Sequence, residues 1–158
     1  MIQDSSLTGA AGEHLVLSRL LSRGILAAQA PRGTRKADIL VNHLDKDSTA
    51  LIQVKSRLKG SDGGWHMDIK HEAIRDEDIW YCFVDFQPES PKVFVVPSLL
   101  VAKIVTEENE SWMRTPGKNG RTHKETKMRR ILPKYSYPVI SAPDGWMIEF
   151  IERWDLLA

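Results

Sequence analysis

Apolar residues recur at helical spacing over residues 6–23, where Val16, Leu17, Leu20 and Leu21 form a stripe that ends before Gly24. The spacing predicts a first helix, and Asp4, Ser5 and Ser6 offer N-cap chemistry at its start. The pattern then changes. Residues 25–30, 37–42 and 49–57 read as three short strands, the last two joined by a polar turn at 43–48. Residues 79–86, IWYCFVDF, are strongly β-prone and predict a central strand, with 92–96 returning as the other arm of a hairpin. Pro97 and Ser98 open a second long helix to about Met113, with Leu99, Leu100, Ala102, Ile104, Trp112 and the stem of Lys103 on its inner face. Between these elements, 65–72 is ambiguous, and 69–75 fits a short helix. Residues 115–134 have no usable period. A last helix is expected over 143–157, with Trp146, Met147, Phe150, Ile151 and Trp154 on one face. The expectation is one domain over residues 1–158, with a loop at 114–134 and a C-terminal helix.

Composition narrows this picture only slightly. The chain has 158 residues, 42% hydrophobic and 27% charged, as in ordinary soluble domains. No apolar run approaches the roughly 20 residues that span a bilayer. The first residues lack a basic segment followed by an apolar one, so a cytoplasmic protein with no membrane partner is expected. Cys82 is the one cysteine and sits in an apolar strand, which points to a core thiol and excludes a disulfide scaffold.

Net charge is +1, which decides nothing about nucleic acid, but the charges are segregated. From Asp62 to Glu89 there are eight acids against Lys70 and Arg75. From Arg114 to Lys134 there are eight bases against Glu125. Segregation of this kind makes a basic patch or, equally, a solvated loop. Lys118, Arg121, Lys124, Arg129 and Arg130 are the candidates for nucleic-acid contact there.

Four polar residues interrupt apolar elements. Asp38 opens one predicted strand. Gln53 and Lys55 lie two apart on the next and so share a face, while Ile52 and Val54 share the other. Glu13 falls on or beside the first helix's apolar stripe, either reaching solvent at its edge or pointing where Asp38 points. Gly9 and Gly12 would allow close backbone approach on that side. Arg32, Arg35 and Lys36 precede Asp38, and Arg57 and Lys59 follow Lys55. Bases around an acidic centre suit a phosphate-bearing ligand, or simply a solvated turn.

The order helix, strand, strand, strand, helix, strand, with GAAGEHLV around Glu13, KADILV around Asp38 and LIQVKSR around Lys55, resembles the PD-(D/E)XK nuclease superfamily. It is similar to archaeal Holliday-junction resolvases and to Mrr-like catalytic domains. FVVPS, WMRTPGKNG and RWDLL further resemble a group of small bacterial proteins predicted to be PD-(D/E)XK endonucleases. The resemblance implies an α/β fold with a restriction-endonuclease-like core, a central mixed β-sheet flanked by helices in the order αβββαβ. It implies a Mg²⁺-dependent endonuclease on DNA, with Mn²⁺ as a substitute ion, RNA left open as a substrate and a homodimer compatible with two-strand cutting. It implies Asp38 as a metal ligand, Glu13 as a helix-borne acid on the same ion, and Lys55 as the residue that positions or activates water. Gln53 stands where the superfamily's name calls for Asp or Glu. Its amide oxygen is still a hard donor, and the Val54 carbonyl could add another. That neutral ligand keeps two alternatives in view: a binder of nucleic acid without turnover, and an interaction domain that retains the fold only.

Overall fold

The computed structural model describes residues 4–58 and 63–158. It is an α/β structure with a central mixed sheet flanked by helices. Helix α1 (Ser5–Leu21) is followed by β1 (Ala27–Gln29), β2 (Ile39–His43) and β3 (Ser48–Leu58), which pair in antiparallel succession. The chain then makes a short strand, β4 (Trp65–Asp68), and a 3-10 turn at Ile69–Ala73 before β5 (Ile79–Phe86) and β6 (Lys92–Pro97). Strand β5 runs parallel to β3, and β6 is antiparallel to β5, giving the order β1-β2-β3-β5-β6. Helix α2 (Ser98–Arg114) follows, and β7 (Met128–Ile131) pairs with β4 as a separate two-stranded ribbon. The helix expected between the third and fourth strands is thus only the five-residue turn at Ile69–Ala73.

The alternation of side chains along β3 and β5 divides the interior in two. On the α1 side, Val16 and Leu20 pack on Ile39, Val41, Ile52, Cys82 and Val84. Cys82 is fully enclosed in the middle of the sheet, and burial pushes its thiol pKa far up. On the α2 side, Tyr81 and Phe83 pack with Trp65, Val101, Ile104, Val105 and Ile131. The buried face of α2 is therefore set by Val101, Ala102, Ile104, Val105 and Glu108, and Leu99 is exposed.

The segment 143–157 departs from the expected helix. It forms two separate 3-10 turns, Ile148–Phe150 and Trp154–Leu157. Between them Ile151 bridges Phe94 of β6, the Glu152 N–H donates to the Val93 carbonyl at 2.8 Å, and Glu152 adopts φ +53°. Trp146 and Met147 enter the α2-side core, whereas Trp154 and Leu157 enter the α1-side core. A straight helix cannot serve both faces of a sheet. The segment instead wraps the β6 edge, covering a strand border that would otherwise be open to pairing. Among the described residues no helix is long and apolar enough to cross a membrane.

Candidate functional site

The site lies where β2 ends against β3. The Asp38 N–H donates to the Ile52 carbonyl at 2.7 Å, continuing the ladder one residue beyond β2. The next donor along that edge, the Val54 N–H, has no strand opposite and donates to Asp38 Oδ2 at 2.7 Å. A residue's N–H and C=O leave a strand on the same side, so the Val54 carbonyl faces the same notch. The carboxylate of Asp38 is thereby held beside Val54, the residue that separates Gln53 from Lys55 on β3.

Glu13 reaches this region from α1. A Cβ on Gly12 would lie 1.8 Å from Ser56 Oγ and 3.5 Å from Val54 Cγ1, so only glycine lets α1 sit this close to β3. Gly9 has no such neighbour. Partial burial, and then the charge of Asp38, raise the Glu13 pKa, with His14 opposing, so the two acids lie within electrostatic reach of each other. Lys55 is half-buried on the opposite face of β3 from Ser56. Burial lowers its pKa, Lys70 adds to that, and Asp38 and Asp68 oppose it. Among the described residues, Lys55 closes no ion pair with either acid.

Gln53 is 8% exposed. Its neighbour across the sheet is Tyr81, whose hydroxyl lies 2.6 Å from His71 Nδ1. Burial, and then Lys55 and Lys70, lower the His71 pKa to about 4 and so keep the ring neutral. Reading the sequence did not single out His71, Tyr81, Asp68 or Lys70 as neighbours of Lys55. Only the parallel pairing of β3 with β5 and the turn above it bring them there.

The expected nucleic-acid contacts divide. Arg32, Arg35, Lys36, Lys118, Arg121 and Lys124 are exposed. Lys59 lies outside the described residues. Arg57 is committed elsewhere: it pairs with Asp85 at 2.8 Å, and its guanidinium lies 4.1 Å from the Trp65 ring centroid. Arg129 is 2% exposed and is a structural residue rather than a surface base. It bonds Glu72 at 2.5 Å, Glu125 at 3.1 Å and the carbonyls of Thr126 and Met128. Arg130 is half-buried on the wall of a cleft of about 420 Å³ shared with Glu108 and Tyr137.

The sheet is mixed, with helices on both faces and a polar notch where β2 ends against β3. Among solved structures, a bacterial homing endonuclease, I-Ssp6803I, has this fold, with a TM-score of 0.55 and 15% identity over 99% of this chain and 92% of that one. No protein-family profile and no curated protein sequence matches the chain.

Proposed function

We propose that the chain is a metal-dependent endonuclease of the PD-(D/E)XK type that hydrolyses DNA phosphodiester bonds. The observation that carries this reading is the Asp38 carboxylate held by the Val54 N–H, with Glu13 and Lys55 within its electrostatic reach and Gln53 next to Val54 on β3. The fold shared with a homing endonuclease supports it.

The donors fit Mg²⁺, or Mn²⁺ in its place. Among the described residues no three of His, Cys, Asp and Glu gather at one place, so the two acids need neutral oxygens to complete a set. The Gln53 amide and the Val54 carbonyl are such oxygens, and hard cations take both kinds. Partial burial and the charge of Asp38 both disfavour ionised Glu13, and a divalent cation beside it relieves both. When bound, the ion supplies a more acidic water and offsets charge at the phosphoryl oxygens.

The chain's own groups do the rest. Asp38 is oriented by Val54 and has one carboxylate oxygen left over. Glu13 adds charge from α1. Lys55 brings to the notch a cation with no ion-pair partner among the described residues, where it stabilises charge developing on the phosphate. Its lowered pKa also eases proton exchange with an attacking water.

A plasmid-nicking assay with Mg²⁺ or Mn²⁺ tests this. The wild-type chain should cut, and Asp38→Asn and Lys55→Ala should each lose about 10²-fold or more while still binding DNA. Binding without cutting by the wild-type chain in either ion would instead make it a binder, the outcome that neutral Gln53 favours.

A further inference from the structure

The β4–β7 ribbon ends at Asp68 and Met128, which are register partners. Beyond that end the chain is tied down twice. Asp68 Oδ1 accepts from the Lys70 N–H at 2.9 Å, and the Ile69 N–H donates to the Lys127 carbonyl at 2.8 Å. Lys70 and Lys127 thus leave the backbone at the same end of the ribbon. The next residue, His71, is buried and bonded to Tyr81, the cross-strand neighbour of Gln53. This pins the ribbon end on the face of the sheet that carries Gln53 and Lys55. The electrostatics agree: Lys70 is felt at Lys55 and His71, and Lys127 at Asp68.

Both lysines are exposed, and neither side chain makes an ion pair or hydrogen bond among the described residues. Asp68, the acid at the ribbon end, already caps the turn. We propose that this ribbon end is a phosphate-binding arm, in which Lys70 and Lys127 hold the backbone of duplex DNA against the notch of Asp38 and Lys55. Ammonium groups on flexible stems serve as point charges. They position a strand whatever its sequence and read no bases. The arm rests on the nuclease reading and adds the residues that would seat its substrate.

The test is the salt dependence of binding. A labelled DNA duplex is titrated without Mg²⁺ at 50–200 mM salt with the wild-type chain, Lys70→Ala, Lys127→Ala, the double variant and, as a control, Lys92→Ala at the exposed start of β6. Each single variant should flatten the plot of log affinity against log salt by about 1, the double by about 2 and the control not at all. Unfolding midpoints should not move. Unchanged slopes in a protein that binds and cuts DNA would overturn the arm alone. A wild-type chain that neither binds nor cuts duplex would overturn the nuclease reading and the arm with it. Flattening with an RNA duplex but not with DNA would overturn the choice of DNA.

Discussion

Arg129 and Lys55 are both cations drawn into the protein among acids, and the structure treats them oppositely. Arg129 is enclosed by Glu72, Glu125 and two carbonyls, so each of its three guanidinium nitrogens has a partner. Lys55 stands in the combined field of Asp38, Asp68 and Lys70, and no partner closes on it among the described residues. The first arrangement holds β7 to the turn at Ile69–Ala73 and the loop before it. The second leaves charge available to a ligand. Burial of a cation does not by itself mark a site. Burial without a closed partner set is the more useful sign.

The largest effect should come from opening the closed cluster. Arg129→Ala takes the partner from partly buried Glu72, while exposed Glu125 turns to water, and should cost about 2 kcal/mol of stability in urea unfolding. Nicking activity per folded molecule should fall far less than in Lys55→Ala. Lys55→Ala should give the reverse, lost nicking with stability intact. Equal loss of stability in both variants would erase the distinction.

Next is the approach of α1 to the notch. Gly12→Ala gains roughly 1 kcal/mol of helix propensity but drives a methyl group into Ser56, for a net loss of about 1–2 kcal/mol. Adding Ser56→Gly should restore most of it. A Gly12→Ala variant as stable and active as the wild type would show that Glu13 need not be held so close to β3.

The smallest effect is a pH slope. The unfolded chain protonates His71 as pH falls through about 6.5, whereas the folded chain keeps the ring neutral down to about 4. The unfolded state therefore binds more protons in that window, and stability falls with pH. Between pH 7 and 5 the loss from this residue should be about 1 kcal/mol after solvent screening, and His71→Gln should remove that share from urea midpoints.

Much of the framework was legible because it follows local periods. The alternation over Gln53, Val54 and Lys55 gave the shared face of the site, and the apolar runs gave β5 and β6. What escaped depends on distant partners. Trp65 and Met67 alternate with His66 and Asp68 over only four residues, and the pairing strand begins at Met128. Arg129 occupies an inward position in that strand, where an apolar residue would have given the period away. The C-terminal segment misled for a different reason. Its apolar residues fall at helical spacing, yet Trp146 and Trp154 belong to different cores on opposite faces of the sheet.

Cys82 sits in β5 with β3 on one side and β6 on the other, and no part of it touches solvent. A thiol reagent meets it only after those strands separate. The same enclosure shields it from oxidants, because the thiolate that would react is suppressed where it lies. The chain thus carries a built-in reporter whose alkylation rate follows opening of the sheet beneath the notch, with no label added and no residue changed.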